Sequence, residues 1–101
     1  MEKKYHSLKE FYPFYLTEHS DINCRRLHFF GTTLVFIFLG IFIYTLNFWY
    51  FLMIPVSGYG FAWIGHYFFE KNKPATFKYP LYSFCSDFIM YWDILRGKVK
   101  I

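Results

Sequence analysis

The chain has 101 residues, enough for one small domain, and 28% of them are aromatic. Its net charge of +4 comes from 11 basic and 7 acidic residues, and no recognisable nucleic-acid-binding module accompanies that charge, which argues against a nucleic-acid partner. The two cysteines, Cys24 and Cys85, form neither a CxxC pair nor a disulfide framework, which favours packed or idle thiols.

The N-terminal segment predicts a short helix at a membrane interface, over about residues 7–19. Ser7 precedes Glu10 by three residues, which is the spacing of a capping box at a helix start. Pro13 predicts a kink in this helix, or its restriction to the first turns. The aromatic residues between Phe11 and Tyr15 suit the interface, where amphipathic rings prefer to lie.

The middle of the chain is a long uncharged run. Residues 27–69 contain no Asp, Glu, Lys or Arg, and a bilayer needs about 20 apolar residues per helix. The run therefore predicts two spans, at about 22–46 and about 48–70, with the polar Asn47 at the turn. All 11 basic residues lie outside the run, so the positive-inside rule places both termini in the cytoplasm.

The C-terminal segment, about residues 80–96, predicts one more helix, lying at the interface or packed on the hairpin. We therefore expect one membrane domain, residues 1–101, that is all-α and integral to the membrane. It would be a two-span helical hairpin with flanking interfacial helices. As a multi-pass protein it would belong to the endoplasmic reticulum if the host is eukaryotic, and to the inner membrane if the host is bacterial.

Three histidines are predicted to meet at the cytoplasmic end of this hairpin. In an antiparallel pair that turns at Asn47, His28 and His66 lie at the same depth, because their numbers average to 47. Glu70 is four residues after His66 and shares its helix face. His19 lies just before the first span and can fold back to the same level.

This arrangement is compatible with several functions. Neutral imidazoles commonly bind metals, and two of them with a carboxylate suit non-haem Fe(II). Three nitrogens also suit zinc and hydrolytic chemistry. A pair formed by His28 and His66 would suit a b-type haem in an electron-transfer module. In a non-catalytic membrane scaffold, the same histidines would only form hydrogen bonds at the interface.

Three charged residues near the histidines have open roles. Glu70 is either a metal ligand, or a partner that orients an imidazole, or an ion-pair partner of Lys71 or Lys73. Arg25 and Arg26 either bind a substrate carboxylate or anchor the chain to lipid phosphate.

Two stretches, "FYPFYLTEHSDINCRRLHFFGTTL" and "GYGFAWIGHYFFEKNKPATFKYP", resemble the Mpo-like 2-hydroxy fatty acid dioxygenase family, formerly catalogued as a membrane domain of unknown function. The resemblance covers roughly residues 8–97. It is carried by Tyr15 and His19, then by His28, and then by a distinctive block that comprises Gly65, His66, Glu70, Lys71, Pro74 and Ala75.

The resemblance implies an Fe(II)-dependent dioxygenase of fatty acid α-oxidation that shortens 2-hydroxy fatty acids by one carbon with O2. In eukaryotes such enzymes act in the endoplasmic reticulum and help to degrade phytosphingosine. Residues that match His19, His28 and His66 would hold the iron. From the residues themselves, we expect Glu70 to complete the catalytic set, and Tyr15, Arg25 and Arg26 to contact the substrate.

The chain departs from the better-known family members at two places. They carry a His-Asn-Pro step where this chain has His19, Ser20 and Asp21, and they have a longer middle with further spans. A compact chain implies a lipid pocket that is smaller or shared between the subunits of a homodimer.

Overall fold

The computed structural model describes residues 4–101, and every regular element in that part of the chain is a helix. The all-α prediction is therefore confirmed. This part of the chain has four α-helices, and a π-helical turn and a 3-10 turn lie between the last two. In chain order the elements are α1 (Leu8–Thr17), α2 (Ile22–Thr45), α3 (Phe48–Ile64), the π-turn (Gly65–Glu70), the 3-10 turn (Ala75–Phe77) and α4 (Pro80–Leu95).

Helix α1 begins where the capping signal predicts. The Ser7 hydroxyl accepts a hydrogen bond from the Glu10 N–H at 3.2 Å, which satisfies one of the free donors of the first turn. The helix continues through Pro13 to Thr17, so the proline does not confine it to its first turns. Pro13 and Lys9 are both exposed, and the Lys9 carbonyl that loses its donor lies on the outer side of the helix.

Helices α2 and α3 form the hairpin that the uncharged run predicts. Asp21 caps α2 by accepting from the Asn23 N–H at 2.8 Å. At the other end, Leu46 adopts a left-handed conformation (φ 55°), and Asn47 caps α3 by accepting from the Trp49 N–H at 3.0 Å. The predicted turn at Asn47 is thus the turn observed, and it sets the register between the helices.

One helix among residues 4–101, α2, is long and apolar enough to cross a membrane. Helix α3 has 17 residues, somewhat fewer than the roughly 20 that a span needs. The two-span topology therefore stays a prediction. Large apolar side chains are exposed around the hairpin turn, namely Ile43, Tyr44, Leu46, Phe48 and Trp49.

Helix α4 packs against α1, the 3-10 turn and α2, so it lies on the body of the protein. The Tyr12 hydroxyl donates to the Asp93 carboxylate at 2.7 Å and joins α1 to α4. The buried hydrophobic cluster where α1 meets α4 comprises Phe11, Tyr15, Tyr79 and Met90. Ser83 and Ser86 on α4 are also buried, so the inner face of this helix is partly polar.

Candidate metal centre

Three buried imidazoles meet at the open end of the hairpin. His19 lies in the loop before α2, His28 lies on α2, and His66 lies in the π-turn. The ring centroids are 4.3 Å apart for His19 and His28, 4.5 Å for His19 and His66, and 5.1 Å for His28 and His66. The hairpin register therefore brings His28 and His66 together as the arithmetic predicts, and the loop returns His19 to them.

Each imidazole is held in one tautomer by an acceptor at its Nδ1 atom. The His19 Nδ1–H donates to the Tyr15 carbonyl at 2.6 Å, and the His28 Nδ1–H donates to the Cys24 carbonyl at 2.8 Å. The His66 Nδ1–H donates to the Asn72 side-chain oxygen at 2.7 Å. A ring that donates from Nδ1 is free to offer its Nε2 lone pair to a cation.

The two nearest nitrogens are the Nε2 atoms of His19 and His28, which are 3.0 Å apart. With both hydrogens on Nδ1, two lone pairs face each other, and a cation between them removes the repulsion. Burial, and then the neighbouring imidazoles of His28 and His66, hold the pKa of His19 well below its usual range, so a proton is a poor candidate for that cation. Two nitrogens bound at right angles to one zinc-sized ion are about 3 Å apart. The donor set therefore fits a metal ion.

A fourth donor, Cys24, belongs to the same group. Ligand atoms of His19, Cys24, His28 and His66 all lie within 4.8 Å of one another, and all four residues are buried. The Cys24 sulfur is 3.6 Å from the His28 Nδ1 atom. Cys24 is packed, which is one of the two states expected from the sequence. The sequence analysis did not include it in the donor group, although its spacing of four residues from His28 places both on one helix face.

Asn72 is a second residue that the sequence analysis missed. Its side-chain oxygen accepts from His66, and its Nδ2 donates to the Glu18 carbonyl at 3.2 Å. Asn72 thus fixes the His66 ring relative to the end of α1. The left-handed Lys71 (φ 58°) ends the π-turn and turns the chain back toward that ring. Such π-helical turns often accompany functional sites.

Glu70 lies beside the metal-binding group and not in it. Its carboxylate accepts from the Ser20 hydroxyl at 3.1 Å and from the Asp21 N–H at 2.6 Å. The group that could hold a metal comprises three histidines and Cys24. Glu70 therefore fastens the loop that carries His19 to the π-turn that carries His66, and the predicted ion pair with Lys71 or Lys73 is not among the contacts of residues 4–101.

The two arginines have different surroundings. The Arg25 Nε donates to the His19 carbonyl at 2.6 Å, and a guanidinium N–H donates to the Lys100 carbonyl at 3.2 Å. Arg25 therefore supports the backbone of the His19 loop. Arg26 is exposed, as expected of a residue that contacts solvent or a membrane surface.

Tyr15 stacks on the His19 ring with a centroid separation of 3.9 Å. Its hydroxyl donates a hydrogen bond to the Asp87 carboxylate. Burial raises the pKa of Asp87 to about 7, although the hydrogen bond from Tyr15 lowers it. Burial and then the Asp87 charge raise the pKa of Tyr15 well above its usual range. Tyr15 therefore stays protonated, and its ring supports the His19 ring by stacking on it.

A cavity of about 10 Å³ opens among the three imidazoles, which is close to the space that one water molecule needs. It accommodates a single ion and is far too small for a porphyrin. This size is at odds with the haem alternative. Tyr59, Ser83 and Asp87 also line this cavity.

Comparison with known protein families gives one match. The family model described as 2-hydroxy-palmitic acid dioxygenase Mpo1-like matches residues 5–99, nearly the whole chain. The chain belongs to this family. No curated protein and no solved structure matches the chain. Membership of the Mpo1-like family agrees with the resemblance in the two sequence stretches that contain His19, His28 and His66.

Proposed function

We propose that this Mpo1-like protein is an Fe(II)-dependent dioxygenase that shortens 2-hydroxy fatty acids by one carbon. The observation that carries the proposal is the convergence of three imidazoles on one buried cavity, in a chain whose family model is described as a dioxygenase. Three nitrogen ligands on one side leave other positions of an iron ion open, which oxygen chemistry requires.

The proposed reaction balances without an external reductant. A 2-hydroxy acid and one O2 yield the acid one carbon shorter, one CO2 and one water. The substrate supplies all four electrons that O2 accepts, and the bond between C1 and C2 breaks. We therefore expect turnover with no added NADH or 2-oxoglutarate.

The residues around the cavity have distinct roles in this proposal. His19, His28 and His66 would hold the iron, which would supply O2 activation when bound. The carbonyls and the amide at their Nδ1 atoms orient the rings. The buried walls exclude bulk water from the reacting groups. Arg25 would act on the His19 loop, so a direct role in holding the substrate carboxylate is not favoured.

A membrane location supports a lipid substrate. Helix α2 is a candidate span, and the exposed apolar side chains continue along α3. In this arrangement α2, and α3 with the π-turn, both span the membrane, both termini lie in the cytoplasm, and the metal centre lies near the headgroups. A homodimer would cover more of the exposed apolar surface.

The experiment is elemental analysis and a turnover assay on detergent-purified protein. His66→Ala should lose stoichiometric iron and consumption of 2-hydroxypalmitic acid under air, because it removes one of three ligands. His6→Ala is the matched control, since His6 is exposed and lies away from the cavity. Full iron and full turnover in His66→Ala would refute the assignment of His66 as an iron ligand. Stoichiometric zinc in the wild type would instead indicate a hydrolytic enzyme.

A further inference from the structure

Ser83 is a buried hydroxyl that lacks a partner at the metal cavity. It is 2% exposed, its Oγ has no hydrogen-bond partner among residues 4–101, and it lines the cavity that the three imidazoles share. Buried hydroxyls are nearly always hydrogen-bonded, because an unpaired one is destabilising. A polar ligand in the cavity would satisfy Ser83.

Ser86 provides an internal comparison on the same helix. Its hydroxyl is also fully buried and without a partner in the described chain, but Ser86 does not line the metal cavity. Position, not burial alone, therefore distinguishes Ser83 as a residue that a ligand in the cavity can reach.

A second cavity, of about 140 Å³, lies between α2, α3 and α4, and we call it the groove. Most of its lining is apolar: Val35, Ile54, Pro55, Gly58, Phe84 and Phe88. Tyr59 and Asp87 line both the groove and the metal cavity. The two spaces therefore adjoin at these side chains, one polar and one apolar.

Helix α4 is arranged along this junction. Ser83 and Asp87 are four residues apart and lie on one face, which lines the metal cavity. Phe84 and Phe88 are also four residues apart and line the groove. The groove follows α3 from Ile54 to Tyr59, about 7–8 Å along the helix axis. An extended acyl chain rises about 1.3 Å per carbon, so this length suits roughly six carbons of it.

We infer that the groove seats the first carbons of the acyl chain of a 2-hydroxy fatty acid while Ser83 donates a hydrogen bond to its carboxylate where the groove meets the metal cavity. This inference rests on the proposed function for the class of ligand. A fatty acid is polar at one end and apolar along the rest, and the two adjoining spaces have the same division. Burial of each methylene favours binding, and the hydroxyl at the head satisfies its missing bond.

Binding is measured anaerobically by calorimetry, with protein in nanodiscs, so that the result does not depend on turnover. Ser83→Ala should weaken binding of 2-hydroxypalmitic acid about five- to tenfold, with iron content unchanged. Ser86→Ala should leave affinity within about twofold of wild type, since its hydroxyl lies away from the ligand. Equal losses in both variants would overturn the role of Ser83.

The groove is tested by chain length. Val35→Phe fills the groove, so affinity for 2-hydroxypalmitic acid should fall at least about tenfold. Affinity for 2-hydroxybutanoic acid, whose tail is too short to fill the groove, should change less. Val56→Phe is the matched control, because Val56 is exposed and does not line the groove. Loss of affinity for the two acids by the same factor in Val35→Phe would overturn the assignment.

A second measurement uses the wild-type chain and needs no folded variant. A 2-hydroxy fatty acid with a diazirine on its tail should cross-link to peptides that contain Ile54 or Phe88. Cross-links confined to the separate pocket beside Phe14 and Tyr79 would overturn the groove. If the acid binds in the groove but is not consumed under air, the proposed dioxygenase function fails and the binding site stands.

Discussion

Gly31 links the packing of the hairpin to the geometry of the metal centre. A Cβ atom added at Gly31 would lie 2.6 Å from the Ser57 backbone oxygen and 3.2 Å from the Phe61 Cβ. Real Cβ atoms essentially never approach closer than 3.0 Å, so Gly31→Ala must move α2 away from the α3 backbone. His28 is one turn from Gly31 on the same face of α2, so its imidazole would move with it.

The change in the unfolding free energy of Gly31→Ala follows from two opposing effects. Overpacking of this kind costs about 1–3 kcal/mol of unfolding free energy, while alanine in place of glycine in a helix stabilises by up to about 1 kcal/mol. Gly40→Ala provides the second effect alone, because nothing lies within 4 Å of the added Cβ. We expect Gly31→Ala to be about 1–3 kcal/mol less stable than Gly40→Ala, with iron affinity lower by about tenfold.

The assay is denaturant unfolding in detergent, followed by circular dichroism, together with iron titration of each variant. Gly31→Ala should show the lower midpoint and the weaker iron binding. If both variants unfold at the same denaturant concentration and bind iron equally, the close contact between α2 and α3 does not control the site, and the reasoning from the glycine contact is wrong.

Three further predictions concern single side chains. Asn72→Leu removes the acceptor for the His66 Nδ1–H and should weaken iron binding about 10–100-fold, measured by competition with a chelator, whereas Asn72→Asp keeps an acceptor and should retain tight binding. In metal-free protein, the raised pKa of Asp87 means that the folded state keeps a proton that the unfolded state releases, so stability should fall as pH rises from about 4 to about 7. Asp87→Asn should remove that part of the pH dependence, and an unchanged stability profile would contradict it. Cys24→Ser should shift the absorbance of a Co²⁺-substituted centre if the thiol is a ligand, and an identical spectrum would exclude sulfur coordination.

The sequence by itself determined the hairpin and the position of two of its histidines. An uncharged run with one strongly polar side chain in its middle has few ways to fold other than back on itself at Asn47. Once the turn is fixed, helix geometry fixes the register, so His28 and His66 lie at the same depth, and the packing of the two helices brings their ring centroids to 5.1 Å. The capping residues Ser7 and Asp21 are local signals as well, because a helix start depends on hydrogen bonds within one turn.

The tertiary structure decided which other residues surround the cavity. Ser83 and Asp87 reach it because α4 packs on the hairpin, and no spacing in the sequence specifies that docking. Glu70 shares a helix face with His66 in an ideal α-helix, but the π-turn changes the angle per residue, and its carboxylate binds the His19 loop instead. Periodicity predicts contacts within one element, whereas contacts between elements depend on how the side chains of each pack against the others.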